Sequence, residues 1–318
     1  MRHKNIAVRK PRIFTVIISL SLSLSLSLSL SLFFGLFLPA FAVAQISVID
    51  DFGNTVTLQE PAKRIVSLAP HITETLYAAG AGDNIIATVR YSNYPPAALD
   101  IPIIGSYKEV SYESLLSMNP DLVIVWASGN GDEITARIKS LGLTVFLDEP
   151  RELEDIASSL RRFGKLTGNE EIAEAEAASF MKKLVVLRQD YNEDEILDVF
   201  YQVWNDPLTT LNGDHLISNI IRLCGGRNIF ADVIPLAPVV NAESVLTADP
   251  QVIVVSGMGS DRPEWLDEWK AWPGLAANDN DQLHYIPPDL LQRNSPRVIQ
   301  GAQLLCEILS KARTVYSQ

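Results

Sequence analysis

Cysteine and histidine are scarce in this chain of 318 residues, which contains two cysteines and four histidines. It has no cluster of Cys, His and carboxylate residues with the spacing of a metal site, and no G-x-S-x-G nucleophile elbow. "GNGDE" has no serine, "VSGMGS" lacks the spacing of the elbow, and no acidic pair stands out as a glycosidase pair. "AGAGDN" follows a helical pattern, so it is interpreted as a helix C-cap rather than a dinucleotide-binding loop. These absences predict no catalytic cofactor and no enzyme, with an exported hydrolase as the remaining enzymatic alternative.

Acidic residues are absent from the first 44 positions, which contain five basic residues, a long apolar stretch and the small-x-small sequence Ala42-Val43-Ala44. A basic start, an apolar centre and such a site are typical of a cleaved export signal, so we expect the mature protein to begin near Gln45. An uncleaved membrane anchor is the alternative, because the stretch from Ile13 to Leu38 is long enough to span a bilayer. No cysteine lies near the cleavage site, so a lipoprotein is not expected.

Basic residues are few in the rest of the chain. After residue 44 there are 21 Lys and Arg against 38 Asp and Glu, a net charge of about −17. Such an acidic surface disfavours nucleic acid and anionic lipid as partners, and it suits a basic docking partner.

Two pairs of segments repeat each other. "SYESLLSMNPDLVIV" (111–125) and "NAESVLTADPQVIVV" (241–255) are identical at five positions. In a weaker pair, residues 64–86 and 208–230 each run as short strand, polar turn, helix, glycine-containing C-cap and another apolar run. Strands that alternate with helices predict parallel sheets covered on both faces, so the expected fold is α/β with two similar lobes.

Residues 169–192 carry a long helical pattern with Asn169 as its N-cap. At about 1.5 Å per residue this helix is about 33 Å long, roughly the diameter of a small domain. We therefore expect a rigid linker helix with a ligand cleft between the lobes that it joins. The expected divisions are a signal peptide (1–44), an N-terminal lobe (45–168), the helix (169–192) and a C-terminal lobe (193–318). The apolar stripe of the helix is Ala173, Ala177, Phe180, Leu184, Leu187 and Tyr191.

Aromatic residues follow predicted strands in both lobes. Since ligands bind outside the carboxyl ends of parallel strands, these rings predict a large, flat, mostly apolar ligand. The loop "RYSNYPPAALDIPIIG" is interpreted as a cleft wall stiffened by its prolines, and a capping loop with inward-packed tyrosines is the alternative. The candidate ligand contacts are Tyr91, Tyr94, Tyr107, Trp126, Trp204, Asp289 and Arg293.

The two cysteines, Cys224 and Cys306, both lie in the C-terminal half. An exported protein meets an oxidising compartment, which favours a disulfide. Two buried free thiols are the alternative, because both cysteines lie in apolar helical patterns.

"RIVSLAPHITETLYAAGAGDNIIATVRYSNYPPAA", "IPIIGSYKEVSYESLLSMNPDLVIVW", "LCGGRNIF" and "NSPRVIQGAQLLC" resemble, nearly end to end, the periplasmic substrate-binding proteins of ABC importers. The resemblance is to their helical-backbone class and, within it, to the cobalamin-binding members. It implies a periplasmic monomer that holds a corrinoid between two lobes and delivers it to a membrane permease with its ATPase. It also implies ring contacts from Tyr94, Tyr107, Trp126 and Trp204, polar contacts from Asp289 and Arg293, and a disulfide between Cys224 and Cys306. Haem and ferric siderophores remain alternative ligands.

Glu113 and Glu243 occupy matching positions in the repeats. In the resembled family, one acid on each lobe pairs with permease arginines, so these glutamates are the candidate docking residues. Each also lies two residues after an N-cap, where a carboxylate stabilises the helix dipole, and the two roles are compatible.

His71 and His215 occupy corresponding turns of the two repeats. A pair facing the ligand from opposite lobes could coordinate haem iron or a transition metal, or approach the cobalt of a corrinoid. Solvated or capping histidines are the alternative that the sequence favours, and we expect no metal site of the protein's own.

Overall fold

The computed structural model describes residues 45–191, 195–257 and 261–317. The predicted export signal, residues 1–44, lies outside this range. Among the described residues, the helices are too short or too polar to cross a membrane.

Twelve strands are described. They are β1 (Ile46–Ile49), β2 (Thr55–Leu58), β3 (Ile65–Ser67), β4 (Ile85–Ala87), β5 (Gly105–Ser106), β6 (Glu109–Val110), β7 (Leu122–Trp126), β8 (Val145–Asp148), β9 (Leu197–Gln202), β10 (Gly226–Asn228), β11 (Val252–Val255) and β12 (Leu283–Tyr285).

Ten α-helices are described alongside them, with 3-10 helices at Gly82–Asn84, Pro96–Asp100 and Glu264–Ala271. The α-helices are α1 (Pro70–Ala78), α2 (Tyr112–Ser117), α3 (Ala127–Ser140), α4 (Leu153–Thr167), α5 (Glu170–Asp190), α6 (Leu216–Leu223), α7 (Ala242–Ala248), α8 (Ala276–Asp279), α9 (Pro288–Leu291) and α10 (Val298–Tyr316).

The two main sheets have the same topology. The N-terminal sheet has the order β4-β3-β7-β8 and the C-terminal sheet the order β10-β9-β11-β12, and the paired strands in both are parallel. Counted along the chain, both orders are 2-1-3-4. The predicted α/β fold of two similar lobes with parallel sheets is confirmed.

The long helix α5 joins the two lobes in the chain. It contains 21 residues, and its stripe of Ala173, Ala177, Phe180, Leu184 and Leu187 is buried as the helical spacing predicts. The helix packs on α4 and α1, which precede it in the chain, and on α10 near the C-terminus. One continuous hydrophobic core includes this stripe and residues of both sheets, among them Phe146 and Val254.

Each sheet has a second core on its other face. Val66, Val123 and Val125 belong to the core of the N-terminal sheet, and Phe200 and Ile253 to that of the C-terminal sheet. Successive side chains of a strand point to opposite faces, so strands buried on both sides read as unbroken apolar runs.

The predicted match between residues 64–86 and 208–230 is wrong in one detail. Residues 208–211 do not form a sheet strand, and the counterpart of β3 is β9, which lies earlier in the chain. The chain reverses after Trp204, so Thr209 forms isolated antiparallel bridges with Trp204 and Val239. The Thr210 hydroxyl donates to the carbonyl of Tyr201 at 2.7 Å, which holds the reversed segment against the end of β9.

Cys224 and Cys306 form a disulfide. It joins the C-terminal end of α6 to the middle of α10, and both residues are fully buried. The bridge expected from the oxidising compartment is therefore confirmed, and the free-thiol alternative is not.

Candidate functional site in the cleft between the lobes

Residues of both lobes line a cavity of about 230 Å³. Its position agrees with the rule that ligands bind beyond the carboxyl ends of parallel strands, because Trp126 ends β7 and Glu149 follows β8. The N-terminal lobe contributes Trp126, Ser128, Glu149, Pro150 and Arg151, and the C-terminal part of the chain contributes Asn212, Asp214, His215, Leu216, Ile234, Leu236 and Asn294.

Tyr107 packs against Trp126, which lines the N-terminal wall, but Tyr107 does not itself line the cavity. Their ring centroids are 5.9 Å apart with planes tilted by 43°. The ring of His71 meets the indole of Trp126 edge-on at 5.3 Å. Sequence analysis predicts that Tyr107 and Trp126 follow different strands, and in the structure their rings pack against each other.

The opposite wall contains apolar residues that sequence analysis did not select. Ile234 is 93% exposed, and Leu236 lines the cavity beside it. The Asn212 amide side chain donates to the Ile234 carbonyl at 3.2 Å, and the Asn212 backbone N–H donates to the Leu236 carbonyl at 3.0 Å. A proline-interrupted apolar run, "VIPLAPVV", was the available signal, since it fits neither a helix nor a buried strand.

A buried ion cluster joins the lobes beside the cleft. The carboxylate of Glu74, on α1, accepts hydrogen bonds from Arg293 at 2.7 Å, Ser295 at 2.6 Å, and Arg297 at 2.6 and 2.9 Å. Arg293 also donates to Asn93 at 2.8 Å. The side chains of Glu74 and Arg293 are only 2% and 9% exposed, so this pairing is shielded from water. Glu74 is a residue that sequence analysis missed.

Two amide side chains add further contacts across the lobes. Asn294 donates to the Pro150 carbonyl and Asn219 to the Arg151 carbonyl, both at 3.1 Å. The segment 293–297 thus reaches the N-terminal lobe through four of its five side chains.

The polar candidates lie beside this cluster. Asp289 is half-exposed and pairs with Arg293 at 2.7 Å. Tyr94 is 41% exposed and stacks on the Arg297 guanidinium, whose central carbon is 3.7 Å from the ring centroid. Arg293 is thus bonded to protein groups on Glu74, Asn93 and Asp289. The Asp289 carboxylate is bonded to Arg293 and is also partly exposed to solvent.

The remaining aromatic candidates lie elsewhere. Tyr91 is 70% exposed, so the capping loop with inward-packed tyrosines is not what the structure shows. Trp204 donates through its indole to the Asp206 carbonyl at 2.9 Å, at the end of β9. Neither ring lines the cavity that contains Trp126.

The two candidate histidines have different environments. His215 lines the cavity and is the N-cap of α6, because its Nδ1 accepts the Ile217 N–H at 3.1 Å. Burial lowers the pKa of His215 to about 4, so the ring is neutral at pH 7. His71 is buried, and its Nε2 lies 3.5 Å from Asp148 Oδ2. Within the described residues, no group of three or more His, Cys, Asp or Glu side chains could hold a metal ion.

Glu113 and Glu243 are equivalent in structure. Each is exposed and is the second residue of a short helix, α2 or α7, that precedes the third strand of its sheet. Ser111 caps α2 and Asn241 caps α7, each accepting from the backbone N–H three residues on.

The structure has two similar lobes, each with a parallel sheet, which are joined by one long helix and line a common cavity. This is the architecture of a two-lobe substrate-binding protein. The sequence matches the periplasmic binding protein family over residues 65–290, and the chain belongs to that family. It is therefore a periplasmic carrier of a small molecule that works with an ABC transporter, and not an enzyme.

The proteins that this chain is similar to in sequence and structure include vitamin B12-binding and heme-binding proteins. The chain is 36% identical to the vitamin B12-binding protein of Vibrio cholerae serotype O1 over 254 residues, which cover 80% of this chain and 91% of that protein. The crystal structure of the periplasmic vitamin B12 binding protein BtuF of Vibrio cholerae matches with a TM-score of 0.75 over 80% of this chain and 98% of that one. The periplasmic heme-binding protein RhuT from Roseiflexus sp. RS-1 matches at 25% identity and a TM-score of 0.70, over 79% and 99% of the two chains.

Proposed function

We propose that this protein binds cobalamin or a related corrinoid in the cleft and delivers it to the permease of an ABC transporter. The observation that carries the proposal is the cavity between the lobes, with Trp126, against which Tyr107 packs, on one side and Ile234 and Leu236 on the other. A flat macrocycle presents apolar faces to such walls. A cavity of about 230 Å³ takes only part of a macrocycle, so the rest would lie along the exposed rim at Ile234.

Polar groups in the same cavity suit the amide side chains of a corrinoid. Asn212, Asp214 and Asn294 line it from the C-terminal lobe. The amide side chains supply hydrogen-bond donors and acceptors, and the carboxylate of Asp214 supplies acceptors. We propose Asp289, Arg293, Tyr94 and Trp204 as further ligand contacts from the family resemblance, and Tyr91 from its place after a strand, although none of the five lines this cavity.

Titration calorimetry with cyanocobalamin tests the ligand. We expect one-to-one binding, and Trp126→Ala should weaken it by about 1 to 3 kcal/mol, the cost of losing a stacking ring. Trp272→Ala is the matched control, because Trp272 is an exposed indole that does not line the cavity. No heat with cyanocobalamin, or equal losses from both variants, would contradict the proposal.

Haem is the second candidate, because a heme-binding relative shares the fold. His215 does not suit the role of axial ligand to the haem iron. Its Nδ1 accepts a backbone hydrogen bond, so the neutral ring carries its proton on Nε2 and neither nitrogen has a free lone pair. A parallel titration with haemin decides between the ligands, and binding of haemin alone would favour haem.

We further propose that Glu113 and Glu243 dock the protein on the permease. The two carboxylates are exposed at equivalent places of two lobes with the same topology, so a permease with two similar halves could meet both at once. The expected partner groups are arginines, which pair with carboxylates in bidentate geometry.

Reversing both charges, with Glu113→Arg and Glu243→Arg, should lower cobalamin uptake by more than about tenfold, the factor for each 1.4 kcal/mol of lost docking energy. Affinity for the ligand should not change, because both residues lie outside the cavity. Glu170→Arg with Glu171→Arg is the control, since these exposed first-turn acids of α5 give the same change of charge. Lost ligand affinity, or an equal loss of uptake in the control, would overturn the docking role.

We also propose that the export signal is cleaved near Gln45 and that no lipid is attached there. The mature protein would act as a monomer and would not bind nucleic acid. The lobes would comprise residues 45–168 and 193–318, with 169–192 as the linker. The basic, acid-free start of the chain and the acidic remainder support this.

A further inference from the structure

The sequence Gly129-Asn130-Gly131 interrupts the helix that follows Trp126. Gly131 has φ 82° and ψ 166°, a conformation that residues other than glycine rarely adopt, and it separates the first turn of α3 from the rest. A Cβ atom on Gly129 would lie 1.9 Å from the Trp126 ring, so any side chain there would displace the indole. Gly129 therefore leaves room for the ring, and Gly131 supplies the backbone conformation that ends the first turn just after Asn130.

The Asn130 side chain makes three hydrogen bonds at the cleft wall, which use both of its N–H donors. Its Oδ1 accepts the Trp126 backbone N–H at 2.7 Å, and its Nδ2 donates to the carbonyls of Leu68 at 3.1 Å and Tyr107 at 2.6 Å. The partners fix the orientation of the amide, because two carbonyls require a donor and a backbone N–H requires an acceptor. The residue is 6% exposed, so these bonds are shielded from water.

These bonds join three separate segments. Leu68 follows β3, Trp126 ends β7, and Tyr107 lies in the tight turn between the two-residue strands β5 and β6. The short β5–β6 pair supplies few bonds of its own. One amide therefore sets the position of the Tyr107 turn against the strand end that carries Trp126.

The Trp126 indole has no hydrogen bond that fixes it. Its Nε1 is buried without an acceptor among the described residues. Its orientation therefore depends on packing against His71 and Gly129 and on the placement of its own backbone. Asn130 holds that backbone directly, by accepting the Trp126 N–H.

We propose that Asn130 is the positioning residue of the aromatic wall: it holds Trp126 and Tyr107 in the arrangement that receives the ligand, without touching the ligand itself. The role of the wall in binding rests on the proposed function. The positioning rests on the contacts of Asn130 alone.

The variant Asn130→Asp tests this with little change of shape. A carboxylate cannot donate to the two carbonyls and faces their partial negative charge. We expect about tenfold weaker binding of cyanocobalamin by calorimetry. Asn228→Asp is the matched control, because Asn228 is 5% exposed and makes three hydrogen bonds, to Leu211, Ser218 and Phe230, in the other lobe. It should lose stability but less than about threefold in affinity.

A background that lacks both rings separates positioning from general damage. In protein that carries Trp126→Ala and Tyr107→Ala, the further loss caused by Asn130→Asp should fall below about threefold. Affinity within about twofold of the wild type for Asn130→Asp alone, or the same loss with and without the two rings, would overturn the inference.

A ligand-free measurement keeps the inference independent of the proposed ligand. The difference in fluorescence between each protein and its Trp126→Phe version reports Trp126, and acrylamide should quench this component more in Asn130→Asp than in the wild type or in Asn228→Asp. If the wild type bound no cyanocobalamin, the proposed ligand would fail while the quenching result still decided the role of Asn130. Unchanged quenching would overturn it.

Discussion

Replacing Glu74 by glutamine should lower the free energy of unfolding by about 3 to 5 kcal/mol, the usual cost of removing one partner from a buried ion pair. Glutamine keeps the shape of the side chain, but it leaves the guanidinium groups of Arg293 and Arg297 with one fewer negative charge beside them. The two side chains are only 9% and 17% exposed, so water compensates little of the loss. Urea unfolding of the ligand-free protein, followed by circular dichroism, measures the change.

A surface ion pair of the same type is the control. Glu174 forms two hydrogen bonds with Arg161, at 2.6 and 2.9 Å, but both side chains are largely exposed. Glu174→Gln should leave the unfolding midpoint nearly unchanged, because exposed pairs contribute little to stability. If Glu74→Gln shifted the midpoint no more than Glu174→Gln, the buried cluster would not stabilise the fold.

Removing the disulfide with Cys224→Ala and Cys306→Ala should cost about 4 to 5 kcal/mol by the loop-entropy relation. The bridge closes a loop with a sequence separation of 82 residues, which makes the unfolded chain markedly less free. Both cysteines are buried in the core, so loss of packing adds to the effect. Thermal unfolding of the double variant measures it.

The wild type in the presence of a thiol reductant is the matching comparison. Reduction breaks the S–S bond into two thiols but keeps every heavy atom of both side chains. It therefore separates the effect of the cross-link from the effect of the packing. We expect the reduced protein to unfold at a lower temperature than the oxidised protein, and the double variant to be at least as unstable. A reduced protein as stable as the oxidised one would show that the cross-link contributes nothing.

The fold was predictable because its signals are local and periodic. The stripe from Ala173 to Leu187 needs only the helical repeat, and the apolar runs of the strands need only burial on both faces. The reversed segment after Trp204 was misread as a strand, because the four residues Leu-Thr-Thr-Leu (208–211) have strand-forming side chains but carry no information about the direction of the chain.

The site was less predictable because its partners are distant in sequence. Glu74 and Arg293 are separated by 219 residues, and nothing near Glu74 distinguishes it from an ordinary helical acid. The two arginines of "RNSPR" in an otherwise acidic chain were the available clue. Asn130 was likewise seen only as part of a glycine-rich sequence without a serine. Its three bonds connect segments that a linear pattern does not bring together.

The hydrophobic core that runs through α5 has a consequence for cooperativity. The inner faces of both sheets and the buried stripe of the helix belong to one continuous apolar cluster. A lobe that opened alone would expose its share of this cluster to water, so opening either lobe also costs free energy in the other. The two lobes resemble each other as repeats, yet in unfolding they should behave as a single all-or-none unit.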